Sequence, residues 1–197
     1  MAPLSFLDLP GEIRNQIYKD LLLIQPVSAP RVLGDRPIYP QILAVCRKVH
    51  EEASQILYGS NTFLAHPNLL TDLPRLRLYY DTIGEKHLIN QISRYHIRVR
   101  LDCVPRYSTV KVKEAFTGAE ELTIEVFQAH FGGSDYSILK RFEGVRGVER
   151  ANIYGSISAF LGYAKWLENA MMSLQGDLVE PFDPSLVGPI GSLNADQ

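Results

Sequence analysis

His96-Ile97-Arg98-Val99-Arg100-Leu101-Asp102 alternates without a break. Ile97, Val99 and Leu101 fall on one side; Arg98, Arg100 and Asp102 fall on the other. That is the period of a strand with one apolar and one wet face. Glu121-Leu122-Thr123-Ile124-Glu125-Val126 repeats it, with Leu122, Ile124 and Val126 inward. Arg150-Ala151-Asn152-Ile153-Tyr154 is a weaker third copy, whose inward residues are Ala151 and Ile153. Between the strands lie helical candidates near residues 108–116 and 135–142. A longer helix follows, with Phe160, Ala164, Leu167, Met171 and Leu174 on one stripe.

Ile97 and Leu122 are 25 residues apart, and Leu122 and Ala151 are 29 apart. Strand–helix units of this period predict a mixed α/β fold. Its sheet is small and parallel, and it resembles either degenerate leucine-rich repeats or a small parallel α/β layer. Both need helices packed on one face of the sheet. If the strands at 97–102 and 121–126 are neighbours, Arg98 and Arg100 face Glu121 and Glu125 across the sheet.

Upstream, two amphipathic helices are expected. Pro10 suits a first helical position, and Glu12 places negative charge near the positive helix end. Ile13, Ile17, Leu21 and Ile24 recur at one turn, with Arg14, Gln16, Lys19 and Asp20 on the wet side; Pro26 ends the helix. Prolines 26, 30, 37 and 40 mark an extended connection, with a short strand near residues 31–33. The second helix starts near Pro40, carries Ile42, Val45, Cys46, Val49, Ala53, Ile56 and Leu57 inward, and stops at Gly59 in a left-handed turn. Arg47, Lys48, Glu51 and Glu52 lie opposite. A short strand follows at residues 61–65. The stretch 69–80 reads ambiguously, and Thr82-Ile83-Gly84-Glu85 has the form of a capping box opening a helix.

The composition is that of a folded protein. The 197 residues contain 46% hydrophobic and 21% charged residues, enough for a core that buries roughly 70% of the unfolded surface. Lys plus Arg is 20 against Asp plus Glu at 22, so the net charge is -2. This balance speaks against nucleic-acid binding, and no apolar run reaches the ~20 residues of a membrane span. Two cysteines and an N-terminus without a signal-peptide pattern lead to the expectation of an intracellular protein, cytoplasmic or nuclear. Residues 1–65 are expected as a helical region and 66–175 as strand–helix units packed with it. Residues 176–197 are expected as a loosely ordered tail.

Catalytic patterns are wanting. There is no glycine-rich phosphate loop, nucleophile elbow or His-Glu-x-x-His helix. Cys46 and His50 have a helical spacing for two metal ligands, but Cys46 on an apolar stripe is more simply a small hydrophobe. His130-Phe131-Gly132-Gly133 reads as a glycine turn. The expectation is therefore a non-enzymatic protein without cofactor or metal.

Leu9-Pro10-Gly11-Glu12-Ile13-Arg14-Asn15-Gln16-Ile17-Tyr18 is followed by Cys46-Arg47 with Glu52-Ala53, and then by Tyr58-Gly59-Ser60-Asn61-Thr62-Phe63. This series resembles the F-box-like domain widespread in filamentous fungi, related to the domain named for two Glu-x-Arg elements. The resemblance covers residues 7–65 well and 66–102 loosely. It implies a helix pair that docks the linker subunit of a cullin–RING ubiquitin ligase, with the downstream region holding a substrate. Leu9, Pro10, Ile13, Ile17, Val45 and Cys46 would then lie at or beneath the docking surface. For Ile13, Ile17 and Val45 core packing is the plainer expectation; Leu9 and Pro10, at a helix entrance, are the better docking candidates. Pro10 and Cys46 are 36 residues apart, wider than in an ordinary three-helix F-box. The wet strand face, with Arg98, Arg100, Thr123, Glu125, Asn152 and Tyr154, is the candidate partner surface. The alternatives are a scaffold without ligase linkage and an enzyme of unrecognised type.

Overall fold

A computed structural model describes residues 5–24, 37–129 and 135–186. Among them the chain is mixed α/β, with five α-helices and one five-stranded sheet. In order the elements are α1 (Gly11–Leu22), α2 (Arg47–Ser60), β1 (Phe63–His66), β2 (Leu70–Arg75), α3 (Lys86–Ile89), β3 (Arg94–Arg100), α4 (Thr109–Phe116), β4 (Glu121–Phe127), β5 (Arg150–Gly155) and α5 (Leu161–Met172). The strands run in the order β2-β1-β3-β4-β5. All neighbours are parallel except β2, which turns back antiparallel on β1. The ambiguous stretch 69–80 thus supplies an edge strand, where Pro74 leaves no ladder bond unmade in the sheet interior.

The alternating strands place their apolar residues as the pattern predicts. Ile97, Val99, Leu122, Ile124, Val126 and Ile153 are buried and share one core with Val112 and Phe116 of α4 and with Tyr163, Ala164, Leu167 and Met171 of α5. A 3-10 turn at Leu139–Phe142 stands where a helix was expected before β5. Its Phe142 stacks on Phe116, and Phe116 meets Tyr95 edge-on. Gly155 ends β5 at φ 106°, where a Cβ would run into the Val126 carbonyl oxygen. Leu174 lies beyond the end of α5 and is exposed. Residues 176–186 follow, and Phe182 among them packs on Tyr136, Tyr163 and Trp166.

The helix pair departs from the periodicity. The buried stripe of α1 is Arg14, Tyr18 and Leu22, one position on from the expected Ile13, Ile17 and Leu21. The reason is Glu52, placed by the sequence on the wet side of α2. The Arg14 guanidinium donates to both of its carboxylate oxygens, at 2.9 and 2.6 Å, and to the carbonyls of Leu9 and Leu7. The Tyr18 hydroxyl donates to the same carboxylate at 3.0 Å. With these partners a charged group tolerates burial, so the face carrying it turns inward. Ile13 is turned out.

Other boundaries move too. α1 ends at Leu22, before Pro26. α2 begins at Arg47 after a separate 3-10 turn at Pro40–Ala44, and Cys46 is extended at its N-cap. It runs through Gly59 and ends with Asn61 extended, so Gly59 forms no left-handed stop. The capping box at 82–85 does not form: α3 starts at Lys86, with Glu85 as N-cap and no side-chain cap bond. The strand expected at 31–33 and the turn at 130–133 lie outside the described residues.

Asn61 joins the helix pair to the sheet. Its buried amide donates to the carbonyls of Leu22 and Leu57, and its oxygen accepts from the Ile24 N–H, each at 2.9 Å. Arg14 is thus level with Glu52, and Leu22 with Asn61. The two helices therefore run side by side in the same direction, with their N-terminal ends together.

Three outcomes follow for chemical denaturation and acid titration. Ile124→Ala, at a fully buried site, should cost about 2–5 kcal/mol, while Asn152→Ala on the exposed face should stay within about 0.5 kcal/mol. Asn61→Ala strands one donor and leaves two carbonyls short, and should cost about 2–3 kcal/mol. Arg14 holds the Glu52 carboxyl down from its ordinary 4.5 to about 2. A lowered native pKa stabilises fully above the unfolded value and is lost as pH falls through the native one. Stability should therefore fall between pH 4.5 and about 2, and Glu52→Gln should make that fall shallower while lowering stability at neutral pH.

Candidate functional site

Two surfaces collect the residues picked out in the sequence. The first lies at the N-terminal ends of α1 and α2. Leu9 is half-buried, and Pro10 is exposed beside it. Ile13 is 50% exposed and Val45 69%, though core packing was the plainer expectation for both. Cys46, expected on the apolar stripe, is also exposed, and Ile17 is half-buried. Leu7, which the sequence did not single out, is 37% exposed. Position explains these exposures. The turn into α2 breaks at Val45 and Cys46, and α1 has rotated its Arg14 face inward. The result is a lip of apolar side chains around a frame set by Arg14 and Glu52. No periodicity argument finds Leu7 or Arg14, because both are placed by a contact with another segment. His50 is turned back to its own chain, its Nδ1 3.0 Å from the Leu43 carbonyl oxygen.

The second surface is the face of the sheet away from α4 and α5. Arg98, Arg100, Thr123, Glu125, Asn152 and Tyr154 all stand on it, in the register Thr123↔Asn152, Arg98↔Glu125 and Glu125↔Tyr154. Glu125 sits between Arg98 and His96: its Oε2 is 3.1 Å from Arg98 Nε and 3.3 Å from His96 Nε2. Of the two arginines expected to face Glu121 and Glu125, Arg98 thus meets Glu125. Arg100 stands opposite neither acid, because the ladder sets it opposite Phe127. Arg100 bonds Asp102, in the turn that follows β3, at 2.7 Å, and the parallel register sets Arg94 opposite Glu121. Arg94 and Arg150 instead converge on Glu120, whose carboxyl they hold down to about 2.

His96, absent from the sequence-derived set, sits at the centre of this face, with the Tyr154 hydroxyl 3.5 Å from its Nε2. Burial lowers its pKa, against the pull of Glu125. The Arg98 guanidinium lies 4.8 Å from the centre of the Phe127 ring. The arrangement is a polar platform with aromatic members. A shallow hollow elsewhere, between the β1–β2 turn and α4, is lined by Leu70, Thr71, Asp72, Lys111 and Glu114, with no histidine, cysteine or serine among its walls. Among the described residues no helix is long and apolar enough to cross a membrane.

The chain matches no protein-family model, no curated protein and no solved structure at a significant level.

Proposed function

We propose that this chain is a non-enzymatic protein–protein interaction module, an F-box-like adaptor that recruits another protein to a cullin–RING ubiquitin ligase. One observation carries the reading. Pro10, Ile13, Val45 and Cys46 are open to water at the joined N-terminal ends of α1 and α2. Apolar side chains gathered on a frame tied by Arg14–Glu52 are the kind of anchor that a partner buries first. Within the Leu-Pro-x-Glu-Ile-Arg … Glu-Ala … Asn-x-Phe series Arg14 bonds Glu52 directly, and Asn61 bonds the main chain at the ends of both helices, which supports reading residues 7–65 as one F-box-like unit. Downstream, a mostly parallel sheet with helices packed on one side supports the likeness to degenerate leucine-rich repeats. The platform of His96, Arg98, Glu125, Asn152 and Tyr154 is then the surface that holds the substrate.

A second reading is a scaffold without ligase linkage. The observation that favours it is that α1 and α2 run in the same direction, with residues 23–46 between them in the chain. The two readings separate in a binding assay with purified linker subunit. The adaptor reading expects the wild-type chain to bind and Ile13→Glu with Val45→Glu to weaken binding at least about tenfold, with circular dichroism and unfolding midpoint unchanged. No binding by the wild-type chain leaves the scaffold. Binding unaffected by the double substitution removes the lip as the docking site.

A further inference from the structure

β5 ends the strand order, so one side of it pairs with β4 and, among the described residues, the other meets no strand. N–H groups alternate in direction along a strand. Arg150 and Ser156 donate theirs to the carbonyls of Glu120 and Val126, on the β4 side. Ile153, an odd number of residues from each, directs its N–H to the free edge. There it donates to Glu168 Oε1 at 2.6 Å. Glu168 is a half-buried residue of α5, and its carboxylate reaches back over the strand edge.

We infer that the outer edge of β5 is a strand-pairing surface for a second copy of this chain, held shut by Glu168. The strand is self-complementary. Antiparallel pairing about a twofold at Ile153 sets Ile153 opposite itself, Asn152 opposite Tyr154 and Arg150 opposite Ser156. No like charges meet, and like charges directly opposite are what disfavour such a pair. In a hydrogen-bonded antiparallel pair each Ile153 gives its N–H to the other's carbonyl. That N–H is the one Glu168 occupies. A carboxylate acceptor is roughly twice as strong as a neutral carbonyl, and it is already tethered on α5, so the intramolecular bond prevails. Exposed edge strands invite pairing unless something blocks them; here the block is one side chain from the next helix. This inference rests on strand direction and one hydrogen bond, and it stands apart from the adaptor reading.

The test compares the full chain with Glu168→Met and Glu168→Leu, which remove the acceptor and keep the bulk, and with Glu168→Gln, which keeps an amide oxygen in place. Sedimentation velocity over a concentration series reads self-association, circular dichroism confirms folding, and amide hydrogen exchange reads the Ile153 N–H. The expectation is a single-copy species for the wild-type and Gln chains. The acceptor-free variants should pair at least tenfold more tightly, with Ile153 exchange slowing as pairs form. Folded acceptor-free variants that stay single at every concentration, with a fast-exchanging Ile153 amide, overturn the inference. A wild-type chain already paired through β5 overturns it equally.

Discussion

The pair Arg14–Glu52 is the constraint on which the front of this molecule depends. A charged residue on the inner face of a helix is costly unless its hydrogen-bonding groups find partners. Here the guanidinium is met by a carboxylate from α2 and by carbonyls from the turn before α1. Tyr18 closes the set by donating to the same carboxylate. This one cluster sets the rotation of α1, the level at which α2 lies beside it, and the path of the chain entering α1. The apolar lip is a by-product of that rotation: when Arg14 turns in, Ile13 turns out.

The rear of the molecule obeys a different constraint. Parallel sheets are ordinarily buried on both faces. This one is covered on one face by α4, α5 and the turn at Leu139–Phe142, and presents charged and aromatic side chains on the other. The acids of that face are shared: Glu125 between Arg98 and His96, Glu120 between Arg94 and Arg150. Shared acids keep the side chains in defined places, which suits a surface that recognises another polypeptide. Most of these pairs are part-exposed, so each adds little to stability, and their value is in position.

Asn61 couples the two parts. Its amide closes the ends of α1 and α2 with three hydrogen bonds just before β1 begins. Tyr58 stacks on Phe63 across the same junction.

Strict alternation from Ile97 to Leu101 and from Leu122 to Val126 by itself determined the strands, their inner residues and the wet face, because a period of two leaves one apolar side to bury. The spacing between strands pointed to parallel pairing, since a return in the same direction needs a crossover of that length, but it left the order of the strands open. The helix faces were not legible this way. Arg14 and Glu52 read as wet-side residues because hydropathy scores each charge alone, and only the folded chain brings them together. For the same reason Arg100 was set with Arg98 against Glu121 and Glu125, although register in a parallel pair is fixed by the whole ladder, which places Arg94 and Arg150 opposite Glu121 and Phe127 opposite Arg100. The lip, the partners of His96 and the carboxylate of Glu168 on the β5 edge were decided by tertiary structure alone. Each joins residues distant in sequence, and no local pattern encodes such a meeting.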